Sequence, residues 1–231
     1  RDQPRSRGLG DVYKRQNHVS KILYAQSFGD IKNYAEKDIL LKPDMKPDFS
    51  YNTDHTIYVM TKNFTVDMIK NYNQMYGISA FIFRLPTIYL YSKTDTYFVN
   101  GEERKIGYRL LIDNAIEGKD IEIWGDKTRK KDMVYVKDFC QMMYKALISD
   151  RKFGHYNVGT GVGTSLEKQI EGIIDVFSDG VHKSKIIERK DKPNSPQYIM
   201  DIQNAKDELG YEPKYNYICL LYTSPSPRDR G

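Results

Sequence analysis

Apolar and polar positions alternate along this chain in two periods, which take turns from its first quarter to its end. Residues 19–27 alternate as a strand of a parallel sheet does, and from Tyr58 the positions Thr61, Phe64/Thr65, Met68, Tyr72 and Met75 recur at helical spacing until Gly77 ends the pattern as a C-cap would. Residues 81–83 form a short apolar strand, and 84–90 the turn at its carboxyl end. Helical spacing returns over 106–116, with Gly118 just past its end, before 120–124 alternate as a strand turned by Gly125-Asp126. A strand at 134–136, a helix at 139–147, a strand at 156–159, a helix at 166–176 and a short helix at 201–209 stopped by Gly210 complete the series. Thr164-Ser165-Leu166-Glu167 reads as a capping box for the fourth of these helices. Strands alternating with helices predict an α/β fold on a parallel sheet. Residues 28–56, with Pro43 and Pro47, are predicted to be a loop, and a loop of that length in a compact domain is usually functional or disordered.

Candidate chemistry begins with Tyr58 and Lys62, one helical turn apart on a shared face. A phenol has an unperturbed pKa of about 10, and a cation held beside it favours the phenolate, so a Tyr with Lys at i+4 can accept a proton near neutral pH. With 19 Tyr in 231 residues, such spacings also arise by chance, and a core Tyr beside a solvated Lys is the plain alternative. Ser27, at a strand end, is either a catalytic hydroxyl or a cap on its own turn. His55 reads as a loop residue, and Met142/Met143 as core filling.

The two ends of the chain change the account of charge. Written as GAT GTG TAT AAG AGA CAG, Asp11-Val12-Tyr13-Lys14-Arg15-Gln16 has a reverse complement that, shifted by one base, encodes Cys219-Leu220-Leu221-Tyr222-Thr223-Ser224. Both ends look like translated transposon adapters, so 1–16 and 219–231 are expected to be non-native tails outside the fold. The formal net charge of +5 falls to +1 without them. No Lys/Arg-rich block with interleaved aromatics argues for nucleic acid. Cys140 stands alone once Cys219 is set aside, which gives no disulfide or metal framework and suits a reducing cytoplasm. No apolar run approaches the roughly 20 residues of a membrane span.

Five landmarks in order carry a family resemblance over about residues 19–216. They are the strand ending at Ser27; Tyr58 to Lys62; Phe81-Ile82-Phe83-Arg84-Leu85-Pro86-Thr87-Ile88-Tyr89; Lys131-Asp132-Met133-Val134-Tyr135-Val136-Lys137-Asp138 with Tyr156-Asn157-Val158-Gly159-Thr160-Gly161; and the AKDELGYEP run from Ala205 to Pro213. In this order they resemble the extended short-chain dehydrogenase/reductase family, the NAD-dependent epimerase/dehydratases of nucleotide sugars. The resemblance implies a partial Rossmann-type doubly wound parallel sheet with a smaller substrate-binding lobe. The implied division is 17–92 and 132–160 for the dinucleotide-binding domain, 93–131 and 161–218 for the substrate lobe.

It further implies NAD or NADP as cofactor, a nucleotide sugar as substrate, a homodimer of the full-length protein, and a role in surface-polysaccharide sugar metabolism. Catalysis falls to Tyr58, Lys62 and Ser27, and cofactor contacts to Tyr58, Lys62, Pro86 and Ile88. Thr87, Ile123, Trp124, Arg129 and Lys131 are the implied substrate contacts; no metal is implied. Gln26, Thr87, Leu90 and Lys131 stand where the family usually has Ser, Asn, Gly and Arg. No glycine-rich turn opens the chain, and Gly159-Thr160-Gly161-Val162-Gly163 lacks the third Gly of GxGxxG. An amino-terminally truncated enzyme is therefore expected. A catalytically silent NAD-fold binding or scaffold protein is the alternative.

Overall fold

The computed structural model describes residues 19–37, 39–90, 94–99 and 101–224, so the first tail and the last seven residues lie outside it. The first half runs through β1 (Lys21–Ser27), a 3-10 segment (Phe28–Lys37), β2 (Leu40–Leu41), α1 (Thr56–Tyr76), β3 (Ser79–Leu85), β4 (Thr87–Tyr89), β5 (Thr96–Val99) and β6 (Glu102–Lys105). The second half holds α2 (Gly107–Ile116), β7 (Ile121–Trp124), β8 (Lys130–Lys131), β9 (Met133–Tyr135), α3 (Val136–Ile148) and β10 (Phe153–Asn157). It ends with β11 (Thr164–Ser165), α4 (Leu166–Phe177), β12 (Ile186–Arg189), β13 (Ile199–Met200), α5 (Gln203–Leu209) and α6 (Tyr217–Leu221).

The main sheet is parallel, in the order β1-β3-β10, with Ala25 beside Phe83 and Phe83 beside Tyr156. β3 is buried along nearly its whole length, as a central parallel strand covered on both faces must be. On one face Ile22, Ala80 and Ile82 pack under Val66 and Ile69 of α1; on the other Phe81, Phe83 and Tyr156 pack with Met142, Ala146 and Ala205 of α3 and α5. A separate core joins Ile112 and Ala115 of α2, Ile121 and Ile123 of β7, and Ile170, Ile173 and Phe177 of α4. The two cores exchange segments. Tyr89, Met133 and Tyr135 pack in the second core, whereas Tyr198, Met200 and Tyr211 pack in the first.

Four local expectations change. The stripe of α1 that begins at Tyr58 is largely its outer face: Phe64 is 66% and Met75 65% exposed, while Val59, Val66 and Ile69 are buried. Both stripes satisfy a 3.6-residue period, and the sheet selects the β-branched one. The segment 28–56 is not one loop, since it holds the 3-10 turn and β2, which pairs in parallel with β13. The cap of α4 is Ser165, which accepts from the Lys168 amide at 3.3 Å, while Glu167 pairs with Lys127. Finally, residues 219–224 pack against the fold. Leu220 and Leu221 are buried in the second core, and Gly172 makes the room, because a Cβ there would lie 2.8 Å from Ile218 and 3.3 Å from Leu221.

Candidate active site

β1 and α1 bring two of the three expected catalytic side chains to one place. Ser27 and Tyr58 both line a cleft of about 340 Å³, with Phe28, Lys32, Ser50 and His55 around them. The Ser27 Oγ accepts a hydrogen bond from the Gly29 amide at 3.2 Å, which leaves its own proton free to donate. Tyr58 is 52% exposed. Lys62 stands behind it: its Nζ lies 5.7 Å from the centre of the Tyr58 ring and donates to the Ala25 carbonyl at 2.8 Å. That bond fixes the ammonium beside the phenol and uses one of its three protons.

Behind the cleft the strand alternation turns Gln26 away from Ser27, into a buried polar network. Its amide nitrogen donates to Asp30 and Asn63 at 2.8 and 2.9 Å. Its oxygen is then left for His155 Nε2, 2.8 Å away, so that His155 carries its proton on Nε2. Burial drives the His155 pKa down to about 3, so the ring is neutral. Arg84, 1% exposed, pairs with Asp30 at 2.9 Å and donates to Asn157 and to the carbonyls of Lys42 and Pro43, which ties the end of β3 to the segment that follows β2. Burial raises the Asp30 pKa against the pull of Arg84.

The expected substrate and cofactor contacts divide. Thr87 Oγ1 lies 2.6 Å from the Tyr198 hydroxyl, and the Tyr198 ring packs on Phe28 with centroids 4.7 Å apart. Tyr198, absent from the sequence reading, therefore connects Thr87 to the Ser27 cleft; burial pushes its pKa up to about 12. Its only sequence signal is an aromatic residue within a loop of mixed polarity. Pro86 is buried and Ile88 packs on the first core, so neither side chain lines the cleft with Tyr58. β7 alternates, so that Ile123 faces the core, and of the pair Trp124 offers its side chain outward, bonded to Glu122 and covered by Lys192 at 5.5 Å. Arg129 donates to the Ser195 carbonyl, and Lys131 to the Ser195 hydroxyl at 3.5 Å, so both basic groups meet the strap that follows β12. Burial, then the charge of Arg129, lowers the Lys131 pKa. Arg129, Lys131 and Trp124 do not line the Ser27 cleft.

The glycine turn after β10 holds an anion of its own. Asp132 accepts from the Thr160 amide and hydroxyl at 2.8 and 2.7 Å, from the Gly161 amide at 3.0 Å and from Met200 at 3.3 Å. A carboxylate thus occupies the amides that a phosphate would need. Among the described residues no group of three His, Cys, Asp or Glu side chains is placed to hold a metal ion.

The chain has counterparts among known proteins. The model of the NAD dependent epimerase/dehydratase family matches residues 11–159. The chain belongs to that family. Among its relatives, an uncharacterized protein of Methanocaldococcus jannaschii is 24% identical over 87% of this chain and 57% of its own length. A dTDP-glucose 4,6-dehydratase of Xanthomonas campestris pv. campestris is 30% identical over 47% of this chain and 33% of its own length. The family fold is matched by a UDP-glucose 4-epimerase of Thermotoga maritima, solved with UDP-glucose, at a TM-score of 0.72, with 20% identity over 91% of this chain and 63% of that one. A UDP-glucuronic acid 4-epimerase of Bacillus cereus, solved with NAD, gives a TM-score of 0.67 at 20% identity, over 91% of this chain and 62% of that one. The chain spans between about a third and three-fifths of the length of the curated relatives it matches. No described helix is long and apolar enough to cross a membrane.

Proposed function

We propose that the chain carries the catalytic and substrate-binding parts of an NAD- or NADP-dependent nucleotide-sugar epimerase or dehydratase. The observation that carries this reading is the meeting of Ser27 and Tyr58 in one cleft, with the Lys62 ammonium fixed behind the phenol. The residues present fit the cofactor at one end only. Tyr58 and Lys62 offer a hydroxyl and an ammonium suited to a nicotinamide ribose, whereas the glycine turn after β10 is filled by Asp132. When bound, NAD supplies the acceptor for a hydride leaving a sugar carbon. Tyr58 takes the proton from the hydroxyl on that carbon, and the Ser27 hydroxyl donates to the same oxygen. Lys62, held by the Ala25 carbonyl, keeps its positive charge beside the Tyr58 ring while the proton moves.

Thr87, Trp124, Arg129 and Lys131 remain the substrate side of the proposal, with the last two directed to a diphosphate; Ser195 is the group a diphosphate would displace. A homodimer through α1 accompanies the reading, supported by the exposed row Ile57, Met60 and Phe64 on that helix. So does a place in supplying activated sugars for surface polysaccharide. The test is turnover of a nucleotide sugar with NAD supplied. Tyr58→Phe should lower turnover by about 10² to 10⁴, the usual contribution of a general base, with NAD still bound. Unchanged turnover would overturn the assignment.

A further inference from the structure

Two basic side chains line the cleft beside Tyr58, Lys32 on the 3-10 segment and His55 at the start of α1, and among the described side chains no Asp or Glu does. Among the described residues neither side chain has a hydrogen-bond or ion-pair partner. Asp30 is engaged by Arg84 and Gln26, and Asp48 by the Asn33 amide at 2.8 Å. Asp54, next to His55 in sequence, is not among the lining residues. The remaining polar lining groups, Ser27, Asn33, Ser50, Thr53, Thr56 and Tyr58, are hydroxyls and an amide. A cleft sized for a monosaccharide, lined by an ammonium and an imidazole, favours a ligand that carries negative charge.

We propose that the sugar accepted beside Tyr58 bears a carboxylate, held by Lys32 with His55 as a second donor. This rests on the function proposed above and narrows its substrate class to acidic sugars. The charge belongs to the sugar and not to the diphosphate, because the cleft that holds Lys32 also holds Ser27 and Tyr58, which act on the sugar ring. A charge-assisted hydrogen bond from an ammonium to a carboxylate then separates a uronic acid from the neutral hexose of the same shape.

The experiment compares UDP-glucuronic acid with UDP-glucose, which differ in a carboxylate against a hydroxymethyl group, by competition in saturation-transfer NMR with the 231-residue chain. UDP-glucuronic acid should bind about ten-fold tighter or better, the margin one charged hydrogen bond gives. Lys32→Ala should bring it down to the level of UDP-glucose, and Lys32→Arg should keep the preference. Equal affinity of the two ligands for the unaltered chain, or a preference that survives Lys32→Ala, would overturn the inference and leave the proposed function standing. A Lys32→Ala loss equal for both ligands would place the lysine on the diphosphate, which also overturns it. Binding of neither ligand would bring down the proposed function together with this inference.

Discussion

His155 shows how one buried side chain makes stability depend on pH. Its ring is held neutral by burial, with a pKa near 3 in the folded chain against an ordinary 6.5. Between these values the unfolded chain binds the proton and the folded chain does not. The stability this creates is therefore present above pH 6.5 and lost as pH falls toward 3. Urea unfolding of the unaltered chain and of His155→Gln, compared at pH 7, 6 and 5, isolates the residue, since the other titrating groups are common to both. The stability difference should be flat above pH 6.5 and then move against the unaltered chain, with a slope approaching ~1.4 kcal/mol per pH unit. A difference independent of pH would contradict the neutral assignment. Gln26 belongs to the same account. It departs from the family's Ser, and its three bonds to Asp30, Asn63 and His155 use both amide protons and one lone pair of the oxygen; a Ser hydroxyl, with one proton, could not make both donations.

At the scale of elements, α6 decides where the fold ends. Leu220 is fully buried against α4, so Leu220→Ala should cost about 2–5 kcal/mol in denaturant unfolding, the range for a core leucine. A change under about 0.5 kcal/mol would mean that residues 219–224 only rest on the surface. This packing was hidden in the sequence because the antisense relation between the two ends concerns codons and says nothing about how the apolar side chains of 219–224 pack. The order of strands and helices, the Gly77 and Gly210 caps and the strand end at Ser27 were legible, since each rests on local periodicity or on a left-handed turn. The buried side of α1 was not, because both stripes of that helix are apolar and only the sheet beneath distinguishes them. Nor were the partners of Tyr198 and Asp132, whose bonds close over 111 and 28 positions and leave no mark in any short window. Trp124 and Ile123 were found as a pair, and alternation alone could have separated them into outside and inside.

Over the whole molecule, the described part of the main sheet has three strands, with β1 and β10 at its edges. An unpaired parallel edge and the apolar outer row of α1 both invite association. The 231-residue chain should accordingly scatter light as an oligomer or aggregate, with Phe64→Glu reducing the scattering. Light scattering of the two chains side by side checks this, and a clean monomer of the unaltered chain would contradict it. The sheet also joins distant parts of the chain. β1 meets the end of α3 through Lys21, whose ammonium donates to the Leu147 and Ser149 carbonyls at 2.5 and 2.7 Å, across 126 and 128 positions. A ribosome adding roughly 5 to 20 residues per second needs roughly 6 to 25 seconds between making Lys21 and making its partners. For that interval β1 is in the cell without its anchor, and β3 without its second neighbour. The nascent chain spends that time exposed to chaperones and proteases, so the yield of folded protein depends on the pace of translation.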